Sequence, residues 1–424
     1  MNKSAEWIKY RPDGSKDRID YLSSEYRLGT FGRGRVIRWG ERITSNDRKK
    51  ELKLSTTAAL SPRDQAAMDA DFGVDELCVN RLPEKEAQEL TIEVVSDNIS
   101  QTLDRLGWKP EDVNGILVGS SLKPIDGGRP SELYKDRLGL NNAQTFDAHA
   151  ACASGGLAFL KALADPKFRY KPCIVVGIED MLRRQTTFDP RKVDYGSALL
   201  FTQAAAITAF IPGQTISLNR DTLTYLEKPD LKGFLPANVN YEVDPNFGYQ
   251  VTQLDRDEIR VSLPKPERAL IDMQAEVGAF FPEPALATVE LLRGQFAQDE
   301  WDNIRAMVTH FPSKFIVQRL VAGLARNGSL PKGIAEQYMP SSTELEAFEN
   351  DPQLFIRNKW REIRTNGIPD SMPIYPKHGR MGNAPAANTL IALVENAQKL
   401  NNRDTLFLTF GAGASFAAGV IRIS

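Results

Sequence analysis

Three residues far apart in the chain are of the types that carry acyl chemistry. Cys152 sits in "HAACASGG", between small residues and just ahead of a stretch that is apolar at Leu157, Leu160 and Leu163, the spacing of a helix beginning near Ser154. A cysteine at a helix N-terminus faces unsatisfied N–H groups and the positive end of the dipole, which lowers its pKa and raises its thiolate fraction. That is a physical motive for nucleophilic attack. From the local sequence alone, however, an inert, buried cysteine among alanines is the commoner situation. His310 ends the apolar run "IRAMVTHF". It would emerge at the carboxyl edge of a central strand, where α/β folds place their sites. An imidazole there can donate a hydrogen bond to a thioester carbonyl or take a proton from a thiol; a histidine merely satisfied at a strand end is the competing reading. Asn383, in "RMGNAPAANTL", reads as a turn residue or N-cap ahead of a helix, or as a neutral amide donor able to hold an enolate or carbonyl oxygen. The small-residue run "FGAGASFAAG", from Phe410 to Gly419, would let the backbone approach a ligand and present an N–H to a developing oxyanion.

Other candidates fall away. His149, beside Cys152 in sequence, lies on the opposite face of a strand-like segment and reads as structural, and His378 in "YPKHGRMGN" reads as a solvated loop residue. "FGAGASFAAG" is not a nucleotide loop, because no Lys-Ser/Thr follows it and no GxGxxG opens a helix. The cysteines Cys78, Cys152 and Cys173 are odd in number and widely spaced, which disfavours a disulfide framework and a zinc site. A net charge of -2 gives no general argument for nucleic acid. No run approaches the roughly 18 apolar residues of a membrane span, and "MNKSAEWIKYRPDG" has no apolar stretch of signal-peptide type. The expectation is a soluble, cytoplasmic protein without a membrane span.

The elements that must position these residues read as a layered α/β fold. The chain is 424 residues long, 42% hydrophobic and 25% charged, which suits a globular chain with one large core or two fused ones. Residues 1–34 are polar and aperiodic and read as a surface extension; "RVIRW" is a short strand, and a helix is expected near "SPRDQAAMDADFG". "EKEAQELTIEVVSDNISQTLDRLGW" is apolar at helical spacing and precedes the buried strand "EDVNGILVGSS". The order recurs: "AQTFDAHAA" is a strand, "SGGLAFLKALAD" a helix and "CIVVGIED" a buried strand, with "SALLFTQAAAITAFI" suiting a core strand pair. After a less regular region from about Pro212 to Pro264 comes an echo: helix "PEPALATVELLRGQF", strand "DEWDNIRAMVTHF", helix "APAANTLIALVENAQKL" and the closing strand pair "TLFLTFGAGASFAAGVIRIS".

The order of the site segments resembles the β-ketoacyl-acyl carrier protein synthase III family of the thiolase superfamily, from about Arg35 to Ser424. "LGLNNAQTFDAHAACASGGLAFLKAL" is similar to that family's nucleophile segment, and "GNAPAAN" to its asparagine segment. The resemblance implies a thiolase-like fold, two related α/β halves packed as layered α-β-α-β-α. It divides the chain into an extension (1–34), a half carrying the nucleophile (35–211), an insertion or linker (212–264) and a half carrying His and Asn (265–424). It further implies that Cys152 takes an acyl group from acyl-coenzyme A or an acyl carrier protein. His310 and Asn383 would then stabilise the enolate of a decarboxylating malonyl-type thioester, and the backbone N–H groups of Cys152 and Ala412 would form the oxyanion hole. A homodimer is implied, with no metal and no cofactor beyond the thioester substrates. Two departures stand out. Ser313 and Lys314, in "HFPSKF", replace groups that orient the second substrate in the family, and "FTQAAAIT" replaces a G-D-G-A-G turn. They leave open acyl transfer to an oxygen or nitrogen nucleophile without decarboxylation, and a non-catalytic subunit of a heteromeric synthase.

Overall fold

The structure is a computed structural model that describes residues 3–5, 21–51, 74–121, 127–180, 201–227, 282–311, 314–338, 382–411 and 415–424, with single positions at 343, 347, 350, 351 and 358. Its strands form two main sheets. In the larger, β1 (Lys3–Ala5), β2 (Leu22–Leu28), β3 (Gly32–Arg38), β6 (Gly115–Ser120), β7 (Gln144–Ala148), β8 (Cys173–Glu179) and β9 (Ala204–Phe210) run in the order β1-β2-β3-β9-β8-β6-β7. The smaller holds β10 (Ile216–Glu227), β11 (Ala306–Thr309), β12 (Asp404–Gly411) and β13 (Ser415–Ile423) in the order β10-β13-β12-β11. A separate hairpin-like pair joins β4 (Glu41–Thr44) to β5 (Glu76–Val79).

Adjacent residues on these strands belong to different cores, which shows that both faces of both sheets are covered. Val36, Leu117, Val175 and Ala206 share a cluster with two helices, α4 (Ser154–Ala164) and α9 (Asn388–Leu400), and with Val308, Phe407 and Ile421 of the smaller sheet. Their neighbours Ile37, Val118, Val176 and Ile207 pack instead on Leu90, Val94 and Ile99 of α2 (Glu84–Leu106), and on Tyr134 of α3 (Pro130–Leu138). On the far side, Met307, Leu406 and Leu408 meet Val289 and Leu292 of α5 (Pro282–Arg293) and Val317, Leu320 and Leu324 of α7 (Lys314–Arg326). The result is the expected α-β-α-β-α layering, with α4 and α9 as the central layer touching both sheets. Three further short helices are α1 (Ser45–Glu51), α6 (Gln298–Asp302) and α8 (Lys332–Tyr338).

Helix boundaries follow local chemistry. α2 ends at Gly107, whose φ of 68° is the left-handed cap and whose N–H reaches the Asp104 carbonyl. α3 opens on Pro130 and ends on Gly139 in the same left-handed state. A helix buried on all sides needs an apolar surface all round, and every residue of α4 is buried. Its one charge, Lys161, reaches Asp165 at 3.2 Å.

Two expectations need correction. The first 34 residues are not all surface arm: β2 lies between β1 and β3 in the larger sheet, and Leu28 is fully buried. The region from Pro212 is not an insertion at its start, because β10 pairs antiparallel with β13 from Ile216 to Glu227. Of "SALLFTQAAAITAFI" the described residues, from Phe201 on, hold the strand β9, and residues 197–200 fall outside them. The helix expected near "SPRDQAAMDADFG" falls outside the described residues.

Glycines set the closest approaches to the central layer. A Cβ at Gly119 would lie 2.3 Å from the Gly155 nitrogen, and one at Gly156 would lie 2.4 Å from the Thr409 side chain. A Cβ on Gly155 itself would stand 2.2 Å from the Ala386 carbonyl oxygen, which accepts the Gly155 N–H at 3.0 Å. Gly155→Ala therefore forces two backbones apart. It should destabilise the fold by about 1–3 kcal/mol, read as a lower urea midpoint at unchanged slope; an unchanged midpoint would show that the layer has room to spare.

Candidate active site

Cys152 occupies a sharp turn between β7 and α4. Ala151 has a φ of 47°, a left-handed conformation that a residue with a Cβ adopts only under constraint. The constraint is Ser154: its hydroxyl accepts the Ala150 N–H at 2.8 Å and donates to the Ala151 carbonyl at 2.7 Å. A 3₁₀ turn over Ala151–Ala153 then delivers Cys152 to the start of α4, next to the positive end of an eleven-residue helix. Of the three cysteines, this one alone is half-buried; Cys78 and Cys173 are buried. Burial pushes the Cys78 thiol up, against a smaller opposing effect of Arg38 and Arg42. Burial likewise pushes the Cys173 thiol up. Both are held as inert thiols near neutral pH.

The end of β12 lies against the turn. A Cβ on Gly411 would stand 2.6 Å from the Ala153 nitrogen and 2.9 Å from the Cys152 Cβ, so only a glycine fits there. Thr409, on the same strand, donates its hydroxyl to the Ala153 carbonyl at 3.4 Å. His310 follows β11, which runs parallel to β12, and its N–H donates to the Leu408 carbonyl at 3.2 Å. The imidazole is 1% exposed and meets the Phe410 ring edge-on, with centroids 5.3 Å apart. Phe410 is the immediate neighbour of Gly411, so the histidine and the cysteine turn are packed on consecutive residues of one strand.

Asn383 comes to the same strand ends from a loop. Gly382 before it takes a φ of 77°, and the Asn383 carbonyl accepts the Thr202 N–H at 3.0 Å. Its side-chain Oδ1 accepts a 2.6 Å hydrogen bond from the Nδ2 of Asn388, which also donates to the carbonyl of Phe311, the residue after His310, at 2.8 Å. Three residues further along the loop, the Ala386 peptide is fixed from both ends. Its N–H donates to the buried Glu179 carboxylate at 3.1 Å, and its carbonyl accepts the N–H of Gly155 in α4. The Ser121 hydroxyl donates to the same Glu179 oxygen. Cys152, His310 and Asn383 are thus joined through Gly411, Phe410, Phe311, Asn388 and Ala386.

The remaining expected residues divide. Ser313 and Ala412 lie outside the described residues, as does His378; Lys314 begins α7, but its side chain is also outside them. His149 is buried with Nδ1 3.2 Å from the carbonyl of Ser120, the last residue of β6. Sequence reasoning missed Glu179, although a carboxylate closing the apolar run "CIVVGIE" is a visible signal, and Asn388, the last residue of "GNAPAAN". No group of three or more His, Cys, Asp and Glu side chains able to hold a metal occurs among the described residues. A cavity of about 380 Å³ on the outer face, floored by Trp301 and edged by Arg293 and Glu290, shares no residue with this site.

No protein-family model matches the sequence. The β-ketoacyl-acyl carrier protein synthase III of Listeria innocua is 26% identical over 180 residues, a match spanning 41% of this chain and 55% of that protein. Among solved structures, the 3-oxoacyl-acyl carrier protein synthase III of Aquifex aeolicus superposes with a TM-score of 0.55 at 14% identity, over 94% of this chain and 100% of the other. The 1,3,6,8-tetrahydroxynaphthalene synthase of Streptomyces coelicolor, a type III polyketide synthase, gives 0.60 at 12% identity, over 94% and 99%. The chain has the thiolase fold. It is a distant relative of the synthase III-type condensing enzymes, at low identity. Among the described residues, no helix is long and apolar enough to cross a membrane.

Alkylation reads out the contrast among the thiols directly. Iodoacetamide on the native protein near neutral pH should modify Cys152 well before Cys78 or Cys173, and the latter two only on unfolding, as mapped by peptide mass. Equal labelling of all three in the native state would remove the argument from burial.

Proposed function

We propose that the protein is an acyltransferase of the condensing type, with Cys152 as nucleophile. The thiolate attacks the carbonyl carbon of an acyl-coenzyme A or acyl carrier protein thioester, and the donor thiolate leaves, so that the acyl group rests on Cys152. A malonyl-type thioester then loses carbon dioxide; the electron pair of the broken C–C bond forms an enolate, whose oxygen takes hydrogen bonds from His310 and Asn383. The enolate carbon attacks the acyl-enzyme carbonyl, the Cys152 thiolate leaves, and a β-ketoacyl thioester is released. The backbone N–H groups of Cys152 and Ala412 are assigned to the oxyanion of the acyl-transfer steps.

The observation that carries this reading is the packing of His310 and the Cys152 turn on the neighbouring residues Phe410 and Gly411, with the Asn383 loop bonded to both segments. The reading places the nucleophile in a first half, residues 35–211, and His and Asn in a second, 265–424. It extends to a cytoplasmic homodimer in specialised lipid or polyketide-type synthesis. The sequence "HFPSKF" after the histidine favours a second reading for the later step, in which the Cys152 acyl group passes to an oxygen or nitrogen nucleophile without decarboxylation.

Intact-protein mass after incubation with acyl-coenzyme A tests the first step: one acyl group is expected on the native chain and none on Cys152→Ala. An adduct that persists in Cys152→Ala, or none on either, would falsify covalent catalysis. Carbon dioxide release from malonyl-coenzyme A separates the two readings of the second step. Condensation predicts release that Asn383→Ala cuts by about a hundredfold or more, while transfer to oxygen or nitrogen predicts turnover with no release.

A further inference from the structure

We infer that Asn388 is a positioning residue that decides which end of the Asn383 amide faces the substrate; the inference rests on the enolate-binding role proposed for Asn383. Asn388 is 0% exposed and begins the central helix α9, and its Nδ2 makes two short contacts, 2.8 Å to the Phe311 carbonyl and 2.6 Å to Asn383 Oδ1.

The chemistry of these contacts admits one arrangement. A main-chain carbonyl only accepts, so the Asn388 atom facing Phe311 must be the amide nitrogen, because the flipped amide would set two oxygens 2.8 Å apart. An NH₂ group has two hydrogens, and the second points at Asn383. The Asn383 atom on that side must then be its oxygen, which leaves its NH₂ as the group turned away from Asn388. One backbone carbonyl thereby sets the polarity of two buried amides in series. The two ends of an amide are nearly equal in size, so shape alone would not hold Asn383 with its donor outward. With its oxygen outward it would repel an enolate instead of binding it.

The same side chain holds the loop of Asn383 to the segment that directly follows His310. Both donors assigned to the enolate oxygen are therefore placed relative to each other by one residue that touches neither substrate nor thiol. That predicts a selective defect: loss of Asn388 should spare acylation of Cys152 and impair the step that needs the enolate.

The test uses the full chain with Asn388→Asp and Asn388→Leu, each checked for folding by circular dichroism. Two rates are measured against wild type: acylation of Cys152 by intact mass, and carbon dioxide release from malonyl-coenzyme A. Both variants should acylate. Asn388→Leu keeps the volume without donors and should lose about tenfold in decarboxylation. Asn388→Asp offers only acceptors when ionised, drawing the Asn383 NH₂ toward itself; it should lose about a hundredfold or more. Relative to wild type, it should recover as pH falls and the carboxyl gains a proton to donate, whereas Asn388→Leu should show no such recovery. If Asn388→Asp does not fold, Asn388→Leu decides alone. Decarboxylation at the wild-type rate in Asn388→Leu overturns the inference, as do equal losses in the two variants with no pH-dependent recovery. Wild-type protein that does not acylate, or acylates without releasing carbon dioxide, instead overturns the reading of the site on which the inference rests.

Discussion

The Ala386 peptide joins parts of the molecule that are more than two hundred residues apart in sequence: its N–H is held by Glu179 at the end of β8, and its carbonyl takes the N–H of Gly155 in α4. A free N–H at a helix start needs a partner, and a buried carboxylate needs donors; here each need is met by the other segment's peptide. The contact forms only because Gly155 and Gly177 have no side chains, since a Cβ on either would come within 3 Å of the Ala386 oxygen. The helix that follows Cys152 and the loop of Asn383 are therefore in register at backbone level, where side-chain motion cannot loosen them.

Around this joint the fold supplies two further constraints. The left-handed Ala151 turns the chain abruptly from β7 into α4, and the Ser154 hydroxyl holds the turn by bonding on both sides of it. The parallel pairing of β11 with β12 then places His310 beside Phe410. Parallel strands bring their carboxyl ends to one edge, which is why a cysteine, a histidine and a glycine turn from three different segments can meet there. Every residue of α4 is buried, whereas α9 reaches solvent at Gln398. The buried ion pair of Arg38 with Glu395, at 3.2 Å, ties α9 to β3. A pair so far withdrawn from water holds fast only because both partners are present.

The distance in sequence from the synthase III enzymes falls unevenly. The Cys152 turn and the Asn383 loop are the segments whose sequence resembles that family's, and both are tightly packed. The stretch after His310 and the one before β9 depart from the family's pattern. Packing bears on the first pair of segments, since Gly155, Gly156 and Gly411 leave no room for a side chain.

Much of the layering was legible in the chain itself. Apolar runs such as "GILVG" and "CIVVGI" read as buried strands, and "SGGLAFLKALAD" as a helix. The candidate cysteine, histidine and asparagine were likewise visible as residue types at element ends. What stayed hidden were relations between distant segments. β2 and β10 looked polar and irregular because strands are defined by their partners, β3 and β13, as much as by their own residues. Which of the three cysteines stays partly exposed was hidden too, since burial depends on what packs over a residue. Asn388 and Glu179 acquired meaning only when folding set them against Phe311 and Ala386. Local sequence determines propensity and periodicity, which act over a few residues; hydrogen-bond partners and solvent exposure are set by contacts across the whole chain, and those the tertiary structure decided.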